Sequence, residues 1–140
     1  MLRAMTDAEL EQWLRGFITR NGGVAGTIHL RDSGDLGLKA AVNIPPKVAE
    51  IVRTIPKGKG MAGLAWERDQ PVHTCNLKDD KSGDVRPGAK AVDANAAVAL
   101  PIHGADGSIR GVVGIAYMGE RDITEDELAG LKAQAEALPG

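Results

Sequence analysis

The sequence predicts an α+β fold made of one domain. Two observations carry that reading: capped amphipathic patterns with helical spacing stand at both ends of the chain, and the apolar stretches between them run with a period of two. At 140 residues, 43% hydrophobic and 26% charged, the chain has the length and composition of one ordinary domain spanning 1–140. A chain of this size buries enough surface to fold without a metal or disulfide staple.

The first helix is placed at 6–20. Thr6 followed by Glu9 is a capping box, and Leu10, Trp13, Leu14, Phe17 and Ile18 make one stripe. Asn21-Gly22-Gly23 ends it. Val24 to Arg31 then reads as a strand, with Gly26, Ile28 and Leu30 on one face and Ala25, Thr27, His29 and Arg31 on the other. Asp32-Ser33-Gly34-Asp35 is a turn, and Leu36 to Val42 returns as the second arm of a hairpin. Pro45-Pro46 opens a short helix whose apolar face is Val48, Ile51 and Val52.

Residues 56–95 read as irregular, with Pro56, Pro71 and Pro87, a glycine cluster and a charged stretch. So long a loop in a compact domain is usually functional. Ala96 to Ile102 and Ile109 to Tyr117 form a second hairpin around the Asp106-Gly107 turn. Gly111 and Gly114 suggest bulges or close packing, and Pro101 belongs at an edge or bulge. Thr124 and Glu127 cap the last helix, with Leu128, Leu131, Ala135 and Leu138 as its stripe.

Composition narrows the function. Seventeen basic and nineteen acidic side chains give a net charge of −2, which is not the basic excess of a general nucleic-acid binder. The single cysteine, Cys75, forbids an internal disulfide and a multi-cysteine zinc site. No apolar run approaches the roughly 18 residues of a membrane span, and the N-terminus lacks an apolar signal core. The expected location is the cytoplasm, with no nucleic-acid or membrane partner. Glycine (18) and alanine together exceed a quarter of the chain, against two Trp, one Tyr and one Phe. Small residues let backbone pack closely, and so few rings leave little to hold a flat cofactor, which favours a small polar ligand or none.

The order helix, hairpin, short helix, glycine loop, strand, long loop, hairpin, helix resembles a GAF domain. The segments GTIHLRD and LGLKAA resemble its first hairpin, IPKGKGMAGLAWERDQPV its central signature, and VALPIHGADGSIRGVVGIAYMGERDITEDELAGL its C-terminal half. The resemblance covers roughly 6–138 and implies a central antiparallel sheet. The terminal helices would lie on one face, and loops plus a short helix would cover a small-molecule pocket on the other. It also implies a sensing or signalling role, exerted on a partner protein or on the second subunit of a homodimer formed through the terminal helices.

Several candidate sites fall within that frame. Gly58, Gly60 and Gly63 spell GxGxxG, but Pro56 and Pro71 leave no room for the strand and long crossover helix of a dinucleotide site. The glycines instead permit a tight entry to the helix Met61–Glu67, whose backbone donors could meet an anion, helped by Lys57 and Lys59. The segment Asp84 to Asn95 is expected to cross the pocket mouth. There Arg86 could hold a carboxylate or phosphate, and Asp93 and Asn95 an amine or hydroxyl. Trp66 could wall an apolar ligand. With His73 and Cys75 at the start of the loop, the candidate ligand-binding set is Trp66, His73, Cys75, Arg86, Asp93 and Asn95.

No catalytic residue, metal or cofactor is expected. His29, His73 and His103 lack ligand spacing, Cys75 lacks the following histidine of bilin-bearing members, and Asn76, Lys78 and Asp79 only echo a cyclic-nucleotide pattern. Two alternatives stay open. One is a free methionine-(R)-sulfoxide reductase using Cys75, although the reducing members that the resemblance brings to mind use more than one cysteine. The other is a ligand-free structural dimerisation domain. In the sensing reading, ligand binding orders the 76–95 loop and the terminal helices transmit the change.

Overall fold

The computed structural model describes residues 5–32, 34–74, 96–119 and 122–139. Its elements run α1 (Asp7–Arg20), β1 (Ala25–Asp32), β2 (Asp35–Val42), α2 (Pro46–Ile51), β3 (Thr54–Ile55), α3 (Gly60–Arg68), β4 (Val72–Thr74), β5 (Ala96–His103), β6 (Ile109–Tyr117) and α4 (Glu125–Glu136). The strands form one six-stranded sheet in the order β3-β2-β1-β6-β5-β4, with every pairing antiparallel. The fold is α+β, as the sequence predicts. The short strands β3 and β4, which lack a periodic signal of their own, lie at its two edges.

Both terminal helices begin where their caps place them. Thr6 Oγ1 accepts the Glu9 N–H at 3.2 Å while Glu9 Oε1 accepts the Thr6 N–H at 3.0 Å. Thr124 Oγ1 accepts the Glu127 N–H at 3.1 Å. Each bond satisfies a donor that a helix start leaves unpaired. Leu10, Leu14, Phe17 and Ile18 of α1 and Leu131, Ala135 and Leu138 from the C-terminal segment pack on the same sheet face, against Ile28, Val98, Leu100, Val113 and Ile115. An amide pair joins the two helices: Asn21 Nδ2 donates to Gln134 Oε1 at 2.8 Å and Gln134 Nε2 donates to Asn21 Oδ1 at 3.1 Å.

The opposite face carries α2 and α3. Leu36, Ile55, Ala65, Trp66, Val72, Ala99, Ile109 and Val112 form its core, and Ala25, Val48 and Ala116 a smaller cluster beside it. On α2 only Val48 is buried. Ile51, predicted to share its apolar face, is 44% exposed because the helix stops there after six residues.

Glycines set the spacing of the central strands. A Cβ on Gly26 would lie 2.6 Å from the Gly114 carbonyl oxygen and 2.9 Å from Ile18 Cδ1, so a bare backbone lets α1 settle onto β1. A Cβ on Gly111 would meet the His29 carbonyl oxygen. Next to it the register slips: Ile102 faces Gly111 and His103 faces Ile109, leaving Arg110 without a partner across the ladder. The irregularity aims Arg110 at the helix face, where it donates to the His103 carbonyl at 3.2 Å and the Leu138 carbonyl at 2.5 Å. Pro101 lies on β5 beyond Ala99, the last β5 residue that β4 pairs, so its missing donor costs no bond on that side.

His103, beside the β5–β6 turn, is half-buried between two carboxylates. Its Nδ1 is 2.5 Å from Glu136 Oε1 and its Nε2 is 2.6 Å from Asp69 Oδ1. Hydrogen bonds to Glu136 and then Asp69 raise its pKa above 6.5. The protonated ring clamps α4 and the end of α3 to β5.

Two outcomes are expected. Gly111→Ala should lower stability by about 1–3 kcal/mol, because the new methyl group meets backbone that cannot swing away; an unchanged urea midpoint would refute the close approach. The contribution of His103 should be fully present below pH 6.5, the unfolded value, and be lost as pH rises through the higher folded-state value. Urea melts of wild type and His103→Gln should therefore converge as pH climbs above 6.5. Parallel curves would count against the clamp.

Candidate functional site

A cavity of about 140 Å³ lies between the sheet and the α2–α3 side. Its floor is built from side chains that alternate onto that face: Thr27 and His29 from β1, Ala97 and Ala99 from β5, and Val112, Gly114 and Ala116 from β6. Most of these are small, and the space exists because they do not fill it. The roof is Ile44, Val48, Val52, Ile55 and Met61. The walls are thus apolar, where composition alone pointed to a polar ligand.

The glycine loop brings α3 to the cavity edge. Gly58 and Gly60 take φ of 83° and 68°, a region that favours glycine. Gly63 packs where a Cβ would lie 2.6 Å from the Pro56 carbonyl oxygen, and its own carbonyl accepts the Gly58 N–H at 2.9 Å. Lys59, Gly60, Met61 and Ala62 then line the cavity as α3 begins. No side chain caps this helix at Lys59, so its first turn offers backbone N–H groups and the positive end of a dipole to the rim. The GxGxxG run serves a nine-residue helix beside an antiparallel sheet, and no βαβ crossover surrounds it.

His29 is the polar group of the floor. It is 2% exposed, and its Nε2 lies 2.8 Å from the Val52 carbonyl oxygen. A carbonyl only accepts, so Nε2 carries the proton. Burial lowers the ring pKa below 6.5, and the bond to Val52 opposes that more weakly. The ring is therefore neutral near pH 7, and Nδ1 is a bare acceptor. Among the described residues Nδ1 is the buried side-chain polar atom without a partner. Leaving such a group unsatisfied costs roughly 1–3 kcal/mol.

The structure separates the residues singled out from sequence. Trp66 lies in the core of the α3 face, with Arg31 Cζ 5.4 Å and Lys57 Nζ 5.6 Å from its ring centroid, and it does not line the cavity. Cations over the indole ring hold it by its quadrupole, so Lys57 attends Trp66 while Lys59 reaches the cavity. His73 is exposed and pairs with Val98, whose side chain packs under the terminal helices, so it points to the face opposite the cavity. Cys75, Arg86, Asp93 and Asn95 lie outside the described residues, as does the whole 76–95 loop. His29, His73 and His103 are dispersed, and among the described residues no cluster of His, Cys, Asp or Glu could hold a metal ion. Among them, too, no helix is long and apolar enough to cross a membrane.

Sequence reasoning placed His29 on the correct strand face but did not single it out. The available signal was a histidine flanked on that face by Thr27 and Arg31, which reads as an ordinary strand surface until α2 is seen to cover it.

Comparison with known proteins agrees with this architecture. A family model described as GAF domain matches residues 7–138. The fold is similar to free methionine-R-sulfoxide reductase from Neisseria meningitidis solved with its substrate (TM-score 0.74, 20% identity, 93% of this chain and 73% of that one). It is also similar to the type II free methionine-R-sulfoxide reductase of Thermoplasma acidophilum (TM-score 0.72, 17% identity, 92% and 86%). The GAF domain of a phosphoenolpyruvate-protein phosphotransferase from Coxiella burnetii gives TM-score 0.71 at 20% identity, over 94% and 83%. No curated relative matches the chain by sequence.

The two histidines with shifted pKa values should titrate on opposite sides of 6.5. Ring ¹⁵N shifts should show His29 neutral with Nε2 protonated down to below that pH, and His103 still charged above it. A His29 that titrates at or above 6.5 would contradict its burial against Val52.

Proposed function

Because the chain belongs to the GAF domain family, we propose that it is a small-molecule sensor that binds its ligand in the cavity between the sheet and the α2–α3 side. The observation that carries this reading is the cavity itself. Its floor is emptied by small residues on β5 and β6, its roof is apolar, and its rim presents an uncapped helix start. Such a concave apolar chamber with a few polar groups is the general form of a ligand site. In this reading the output passes through α1 and α4, on the other face of the same strands, to a partner protein or to a second copy in a homodimer. The protein works in the cytoplasm, without a bound metal or prosthetic group.

The enzymatic alternative has support in the fold alone. Two of the similar structures are of reductases of free methionine-R-sulfoxide. The chain holds one cysteine, Cys75, directly after β4. A Cys75-only reductase needs an external thiol to resolve its oxidised sulfur, because no second cysteine is present to do so.

A thermal-shift screen of the full chain against small metabolites should give stabilising hits that Ala62→Leu abolishes, since that residue lines the cavity on a helix that tolerates leucine. Hits that persist unchanged in Ala62→Leu would move the ligand elsewhere. Thiol-dependent turnover of free methionine-(R)-sulfoxide that disappears in Cys75→Ser would replace sensing with catalysis.

A further inference from the structure

His103 sits where three elements meet. It ends β5, and a carboxylate from each of two helices reaches one of its ring nitrogens: Glu136 Oε1 of α4 lies 2.5 Å from Nδ1, and Asp69 Oδ1 at the end of α3 lies 2.6 Å from Nε2. An ionised carboxylate only accepts, so both bonds form together only when both nitrogens carry protons, which is the charged ring. The neutral ring has one proton for two acceptors. Its bare nitrogen then sets a lone pair against a carboxylate.

The two carboxylates are held unequally. Glu136 has a second bond to the same residue, Oε2 accepting the His103 backbone N–H at 3.1 Å, and it lies in the field of the Arg110 guanidinium. The Asp69 side chain is 57% exposed against 32% for Glu136, so water can solvate Asp69 once the ring lets it go. The single proton of the neutral ring therefore belongs at Nδ1. Asp69 also closes α3 in the left-handed conformation (φ 53°, ψ 46°), which non-glycine residues adopt uncommonly.

We propose that His103 is a pH-operated latch between the two faces of the sheet: the charged ring ties the end of α3 to α4, and the neutral ring keeps α4 at Nδ1 and releases α3 at Asp69. Other charged groups stand on the surrounding elements. Arg110 of β6 donates to the carbonyls of His103 and Leu138, and Asp106 in the next turn accepts from Ser108 N–H and Oγ. None of those bonds uses the imidazole, so they persist through its titration. Arg68 precedes Asp69 on α3, and Lys132 stands one turn before Glu136 on α4. Bonds to Glu136 and then Asp69 raise the ring's pKa above 6.5, so the latch is closed below that pH and opens as pH rises through the higher folded-state value. Lys59 to Ala62, at the other end of α3, line the cavity. An effect on ligand affinity would rest on the reading of the cavity as the ligand site; the latch does not, and its test needs no ligand.

The test is an NMR titration of the full chain from about one pH unit below 6.5 to roughly two above it. Ring ¹⁵N shifts should pass from the doubly protonated form to the Nδ1–H tautomer. Hydrogen-exchange protection factors in the last turn of α3 should fall about threefold or more with the same midpoint, the scale of a partly exposed ion pair, while those of α1 stay level. Asp69→Asn keeps a partner for either ring form, because its amide both accepts and donates, and asparagine tolerates the left-handed conformation. In that variant the ring midpoint should drop and the α3 response should vanish. Protection of α3 that stays flat while the wild-type ring titrates overturns the latch. A neutral ring protonated at Nε2 overturns release at Asp69, and so does an α3 response that survives unchanged in Asp69→Asn.

Discussion

The pairing of β1 with β6 at the centre of the sheet is the constraint on which the remaining architecture depends. Gly26 lies across from Ile115, Thr27 from Gly114 and Leu30 from Gly111, so three glycines stand along one seam. At each of them a Cβ would press on backbone or on a neighbouring side chain at or under 2.9 Å. Toward the terminal helices, the bare Gly26 admits Ile18 and thereby seats α1. Toward α2 and α3, Gly114 leaves the floor low beside Thr27, and that absence of side chain is part of the cavity. The same residue type thus does opposite things on the two faces: it closes the packing above and opens space below.

The cavity sets a cost that the fold accepts at one atom. His29 sits on a strand whose neighbours on that face are Ala25, Thr27 and Arg31, and each meets a different fate. Ala25 packs against Val48, Arg31 reaches the Trp66 ring and the Ile109 carbonyl, and His29 is sealed beneath α2 by its bond to Val52. That bond ties the floor to the end of α2 and fixes the tautomer.

Much of the fold was legible because local signals and tertiary demand agree. The Thr6 and Thr124 caps, the stripes that follow them and the period-two strands each name their own location and buried face. The two-residue β3 was not legible as a strand, since so few positions cannot display a period, whereas β4 is the strand that the sequence order places after the glycine loop. The functional residues were less readable for a different reason. Trp66 advertises a ligand wall by its chemistry, yet its place depends on Arg31, far from it in sequence, and on Lys57 at the other end of the glycine loop. The role of His103 is hidden in the sequence because its partners Asp69 and Glu136 stand 34 and 33 residues away. His29 is polar in sequence and buried in space, and only the path of α2 over β1 converts one into the other.

Strand β5 physically joins the two faces. Its Ala97 and Ala99 form cavity floor, Val98 and Leu100 between and beyond them belong to the core under α1 and α4, and His103 at its end grips Glu136. Side chains of one strand alternate but share one backbone, so in the proposed sensing role a ligand that lifts Ala99 would also turn Val98 and Leu100 beneath the helices. Arg110 adds a second tie, because the irregularity that frees it from the ladder lets it bond the carbonyls of His103 and Leu138 together. The Asn21–Gln134 amide pair then carries any shift of α4 across to the end of α1. The route from cavity to outer helix face therefore consists of one strand and three polar contacts. Packed interiors resist continuous deformation, so in the proposed sensing role such a route would respond to a ligand by exchanging one set of contacts for another.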